Sequence, residues 1–159
     1  MMRLSRSINV ALYAFGAILL SAVVTAQNRP QVPAGFLLMN PDDIKFPEGA
    51  NSITLYGDPA KPGIYITRNR FVPGRGSRPH FHNNDRYVTV IKGTWYVSLG
   101  PDADVYNPEK MVAVKPGGIV YHPAFGHHYD MAKDEEVIVQ IIGMGPVSTT
   151  QLESPASVR

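Results

Sequence analysis

All five histidines of this 159-residue chain fall between positions 80 and 128. They form two groups: His80 and His82, then His122, His127 and His128. His80 and His82 stand two apart, so on a β-strand their side chains share one face. Two imidazoles side by side on a rigid strand make half of a metal site. A third nitrogen from another strand would complete a three-histidine face and leave positions open for water or substrate. With no cysteine in the chain, thiolate zinc sites, iron–sulfur clusters, a cysteine nucleophile and a disulfide framework are all excluded.

The frame around these histidines is regular. Gly74 is followed by five residues, His80, Phe81, His82, three residues, Arg86, six residues and Gly93. Further on, Gly117 is followed by five residues, Pro123, and then His128 five positions beyond Pro123. In both stretches the spacing resembles the two motifs of the cupin family, over about Gly57 to Pro146. Two elements depart from the second motif: Phe125 stands in a glycine slot, with Gly126 one position late, and Ala132 stands where the motif closes on asparagine. One element departs from the first, Arg86 replacing the motif glutamate. Asp85-Arg86-Tyr87-Val88-Thr89-Val90, Gly93-Thr94-Trp95 and the run from Gly143 to Pro146 are similar to a group of small exported bacterial cupins. The resemblance implies a double-stranded β-barrel with a metal in one mouth, held by His80, His82 and His128.

The remaining polar residues are assigned around that centre. His122 is a fourth ligand or a residue behind the ligands. His127, next to His128, faces the other way on a strand and is expected at the rim. Arg86 never loses its charge and cannot ligate. It either pairs with an acid at the barrel rim, turns away, or holds an anionic group of the substrate beside the metal. Asp85, one residue off the glutamate slot, is either a ligand swung inward by its loop or a turn residue. Tyr129 and Tyr87 carry hydroxyls that could donate to a metal-bound molecule. Gln140 lies mid-strand among Val and Ile, and in the lumen it would need a polar partner. Arg86, Tyr129 and Gln140 are therefore the candidate catalytic residues.

The elements that must position these groups read as short strands separated by turns. Ile53–Tyr56, Ile64–Val72, Met111–Val114, Ile119–Tyr121 and Val137–Ile142 alternate or are rich in β-branched residues. Tyr87 to Leu99 reads as a hairpin turning at Lys92-Gly93. Turn signals recur about every ten residues, as in sandwiches and barrels. No long amphipathic helix follows residue 50. The expected architecture is all-β: one cupin-type jelly-roll barrel over residues 51–146. A Pro-spaced arm precedes it over residues 27–50, with one helical turn at Asn40–Asp43, and a loosely held tail follows over residues 147–159.

Residues 1–26 have the layout of a secretory signal peptide: Arg3 and Arg6 without an acid, an apolar stretch Ile8–Val24, and small residues up to Ala26. The alternative is an uncleaved anchor. The chain has 15 Lys plus Arg against 13 Asp plus Glu. Removal of the leader takes two arginines and leaves a neutral chain, so no electrostatic grip on nucleic acid is expected. The mature protein is expected to be secreted or periplasmic and free of the membrane.

The functional expectation is a small exported metal-dependent oxygenase-like enzyme. Its ion would be Fe(II), with Mn, Ni, Cu or Zn as alternatives, and its substrate a small anionic or phenolic organic molecule. The rival expectation is a non-catalytic module that binds a small ligand or a metal. Association into a homodimer is compatible with either.

Overall fold

A computed structural model describes residues 32–152. The chain divides into two units, Met1–Asn40 and Pro41–Arg159. In the first, the described residues carry exposed apolar side chains at Phe36, Leu37, Leu38 and Met39. The leader over residues 1–26 lies outside the described residues, as do residues 153–159. Among the described residues, no helix is long and apolar enough to cross a membrane.

The second unit opens with the expected single helical turn, a 3-10 turn at Pro41–Asp43. Ten strands follow: β1 Ser52–Tyr56, β2 Gly63–Phe71, β3 His80–His82, β4 Arg86–Lys92, β5 Trp95–Leu99, β6 Val112–Val114, β7 Ile119–His122, β8 His128–Ala132, β9 Val137–Gly145 and β10 Thr149–Gln151. They form two five-stranded sheets with the orders β1-β2-β9-β4-β7 and β10-β3-β8-β5-β6. Every pairing between these strands is antiparallel. This is the jelly-roll barrel the strand pattern predicts.

Alternation fills the space between the sheets. Val137, Val139 and Ile141 of β9 point inward with Tyr65, Val88, Val90, Trp95, Val97 and Val120. Each of the fully buried valines contributes about 1.5–3 kcal/mol relative to exposure. A second, smaller cluster lies where the 3-10 turns Gly100–Ala103 and Pro108–Lys110 fold near β8 and β5. There Ala103, Met111 and Tyr129 are buried against Tyr96, Tyr106 and Met131.

Two sequence expectations are corrected here. Tyr87 to Leu99 is not a hairpin, because β4 and β5 belong to different sheets. Lys92-Gly93 is a corner between them. Gly93 has φ +74°, and a Cβ there would lie 2.3 Å from the Glu136 carbonyl oxygen. The Glu135 carboxylate holds the corner by accepting from the Thr94 backbone N–H and hydroxyl, both at 2.9 Å. The barrel also does not stop at residue 146. β10 pairs with β3 in the register Thr149↔His82 and Gln151↔His80, so the start of the expected tail holds an edge strand beside the histidines. Short strands of polar residues such as Thr149-Thr150-Gln151 carry little hydrophobic signal, which is why composition reads them as tail.

Candidate metal centre

The centre lies between the sheets, and each sheet supplies a different part. β3 and β8 of the second sheet carry His80, His82 and His128, with His80 and His128 as direct cross-strand partners. β4 and β7 of the first sheet carry Arg86 and His122, also direct partners. The three residues between His82 and Arg86 carry the chain from one sheet to the other. The expected ligands His80, His82 and His128 are buried, and one nitrogen from each lies within 4.8 Å of the others.

The outer nitrogens fix which atoms face inward. His80 Nδ1 donates to the Arg78 carbonyl at 2.6 Å, and His128 Nδ1 donates to the Gly126 carbonyl at 2.8 Å. His82 Nδ1 donates to the Ser148 carbonyl at 3.0 Å, with the Thr149 hydroxyl at 3.1 Å. A carbonyl only accepts, so the proton of each neutral ring sits on Nδ1 and each Nε2 presents a lone pair. His80 Nε2 and His82 Nε2 face each other at 3.1 Å. Two lone pairs that close repel unless a cation or a proton lies between them. Nitrogens at this separation suit one ion bonded at about 2.0–2.1 Å to each. Backbone partners on the far nitrogen are the usual means of orienting a ligating histidine.

The rings stay neutral. Burial pulls the pKa of His82 down to about 4, with Arg86 and His80 adding to the shift. Burial pulls His128 to about 2, with His122 adding to it. His122 is held at about 3 by burial and by Arg86, and burial lowers His80 as well. Neutral imidazole is the ligating form.

Of the placements open to Arg86, the structure takes the inward one. The side chain points into the barrel, where Nη2 donates to His128 Nε2 at 3.2 Å and to His122 Nδ1 at 3.4 Å. It also bonds the Tyr65 hydroxyl. Asp130 and Tyr65 favour its charge against the cost of burial. The donor set thus fits a divalent ion on His80, His82 and His128. Arg86 Nη2 competes with such an ion for the His128 Nε2 lone pair. His122 is buried beside His128, with ring centroids 3.9 Å apart, but it stands outside the three-nitrogen group and serves as an acceptor for Arg86.

Two expected site residues are elsewhere. Tyr129 neighbours His128 on β8 and so faces the opposite side. Its hydroxyl accepts from the Asn107 N–H at 2.8 Å and donates to the Asn107 carbonyl at 3.0 Å. Gln140 sits between the lumen-facing Val139 and Ile141, so it points out of the barrel, where it accepts from Arg68 Nε at 3.2 Å. Tyr87 is exposed and packs on Tyr121. Asp85 is a turn residue that accepts from the Ala124 N–H at 2.7 Å. His127 sits at the rim as expected, paired with Asp104 at 2.6 Å.

Asp130 was not among the sequence candidates. It lies two residues after His128 on the same face of β8, is buried, and accepts from the Ser77 hydroxyl at 3.0 Å. Desolvation raises its pKa, opposed by Ser77, His80 and Arg86. Tyr65 was also missed. Asp130 borders a cavity of about 260 Å³ that is also lined by His80, His82, Arg86, Trp95 and His122 among others.

No protein-family profile matches the chain, and no curated protein sequence matches it. Solved structures do. A conserved protein with a double-stranded β-helix domain from Klebsiella pneumoniae aligns with a TM-score of 0.55 at 17% identity, over 74% of this chain and 97% of that one. A cupin 2 domain-containing protein from Halorhodospira halophila aligns with 0.54 at 19% identity, over 67% and 75%. The chain has the cupin fold. The DMSP lyase DddQ from Ruegeria pomeroyi aligns with 0.53 at 14% identity, over 65% of this chain and 52% of that one. The chain therefore spans about half the length of that lyase.

Within the cupin barrel, the irregular second motif has a local explanation. Phe125, in the glycine slot, has φ +62°. It adopts the left-handed conformation that glycine takes without strain. Its N–H donates to the His82 carbonyl at 2.7 Å, which ties the turn before His128 to the strand that carries the other two histidines.

Proposed function

We propose that this cupin is a metal-dependent enzyme of the oxygenase type, exported from the cell, acting on a small organic molecule. The observation that carries the reading is the three-histidine arrangement itself. Three neutral imidazoles, each oriented by a backbone carbonyl, bring one nitrogen apiece within 4.8 Å of one another, beside a cavity that His80 and His82 line, and three protein ligands leave other coordination positions for substrate. Imidazole donors suit iron, copper, nickel and zinc, and Fe(II) is the ion proposed. A divalent ion held there supplies Lewis-acid polarisation of a bound oxygen, and iron adds dioxygen chemistry. The chain's own residues shape the rest. Arg86 and His122 face the ligands from the opposite sheet, and Val88, Val139 and Ile141 line the walls.

Elemental analysis of tag-free protein tests the reading. About one equivalent of metal should be retained by the wild type and none by the His80→Ala/His128→Ala double variant. Oxygen uptake by the Fe(II)-loaded protein with small phenols and organic acids then tests the oxygenase class. One contact favours a second reading, a non-catalytic barrel that holds a small ligand: the Arg86 guanidinium caps the His128 lone pair. Wild type that retains no metal after anaerobic iron loading would decide for that second reading.

A further inference from the structure

The lumen contains more than lone pairs. Arg86 Nε, Trp95 Nε1 and His122 Nε2 are all fully buried atoms with no hydrogen-bond partner among the described residues. Trp95 is 1% exposed and His122 is 3% exposed. Arg86, Trp95 and His122 line the same cavity, and the Trp95 and His122 rings lie 6.1 Å apart.

The chemistry of the three atoms is the same. Arg86 Nε and Trp95 Nε1 carry hydrogens and only donate. His122 Nδ1 faces Arg86 Nη2, which also only donates, so Nδ1 accepts and the ring proton sits on Nε2. Three residues lining one chamber therefore each carry a buried N–H group without an acceptor. Native interiors rarely leave buried donors unpaired, because each keeps the full cost of its lost hydration. The lumen carboxylate, Asp130, is engaged by Ser77 and does not fill this role. Arg86 brings a fixed positive charge to the chamber, which the Asp130 carboxyl also lines.

We infer that Arg86, Trp95 and His122 form an oxyanion-binding subsite that takes the carboxylate of a small organic acid. This rests on the lumen being the substrate chamber, as proposed above. A carboxylate offers two oxygens with about four lone-pair directions, enough for three donors at once. The cavity volume of about 260 Å³ admits a small acid and not a drug-sized one. A substrate anchored by its carboxylate here would extend toward His80, His82 and His128 on the facing sheet.

Benzoate and benzyl alcohol serve as probes, with calorimetric titration of the full chain in chelator-treated and Zn-loaded forms. Benzoate should bind both forms at least about tenfold more tightly than benzyl alcohol, the value of a charge-assisted hydrogen bond. Arg86→Met and His122→Phe should each erase that preference, checked for folding by circular dichroism. If Arg86→Met does not fold, His122→Phe and the wild-type preference decide. Equal binding of the two probes, or a benzoate preference that survives in the folded variants, would overturn the subsite. The metal reading fails separately. Protein that keeps the benzoate preference but retains no metal loses only the centre, whereas protein that retains metal without the preference loses only the subsite.

Discussion

The Tyr65 hydroxyl and the Arg86 guanidinium meet over Gly143. Tyr65 on β2 and Arg86 on β4 are both register partners of Gly143 on β9, so the three stand in one row across the first sheet. A Cβ at Gly143 would come within 2.6 Å of the Tyr65 hydroxyl oxygen. The missing side chain is what lets the phenol lie across the row and hold the guanidinium inside the barrel.

Gly143→Ala should therefore displace Tyr65 and loosen Arg86. We expect a loss of about 1–3 kcal/mol in urea unfolding, the usual cost of overpacking a core. Tyr65→Phe removes only the hydroxyl and should cost about 1 kcal/mol. Equal stability of Gly143→Ala and wild type would show that the row has room to spare.

The edge strand β10 supports the centre through Ser148 and Thr149. Ending the chain after Val147 removes the carbonyl that fixes the proton of His82 on Nδ1. Losing such an orienting partner lowers metal affinity by about 10–100-fold. Competition with a chromophoric chelator would measure it, and unchanged affinity would mean that the bond to Ser148 does not set the ligand.

The two adjacent histidines should behave oppositely. His128→Ala is expected to abolish metal retention, since it removes one of three converging nitrogens. His127→Ala breaks an exposed pair with Asp104, worth about 0–1 kcal/mol, and a ring stack on Phe81, and should retain full metal. Equal losses in the two variants would undo the assignment of His128.

Stability of the metal-free protein should fall with acid. His82, His122 and His128 have folded pKa values of about 4, 3 and 2, below the ordinary value of 6.5. The unfolded chain thus takes up protons below pH 6.5 that the folded chain refuses. The stabilisation is complete above that value and is lost as pH falls toward 4 for His82, 3 for His122 and 2 for His128. Each fully titrating group contributes about 1.4 kcal/mol per pH unit. Thermal midpoints between pH 7 and pH 4.5 would show a steep decline, and a flat profile would contradict the burial of these rings.

What the sequence makes legible is mostly local. The spacing from Gly74 to Gly93 places two ligands on one short strand, because both ends of that frame are turns. The third ligand follows from its offset to Pro123. Side-chain direction was harder. Val137 to Ile142 is apolar on both faces apart from Gln140, so alternation alone does not say which parity faces the lumen. Tyr129 and Asp130 were legible in principle: on the strand of His128, the adjacent residue faces away and the next but one faces in. Tyr65 was not, since its meeting with Arg86 depends on the register of three strands that are far apart in sequence. The sequence leaves Arg86 open between rim and lumen, because a buried guanidinium is costly unless it is paired. The tyrosine, two histidines and carboxyl that surround it come from other strands, and only the register brings them together.

The bond between His82 and Ser148 also has a consequence for timing. A chain is made from its N-terminus onward, so His80, His82 and His128 are all synthesised before the residue that sets the protonation of His82. Until Ser148 is in place, either nitrogen of that ring can carry the proton. An ion encountered early meets a ligand without a settled orientation. The order of synthesis therefore favours loading the centre after the barrel has closed, in whichever compartment the last strand docks.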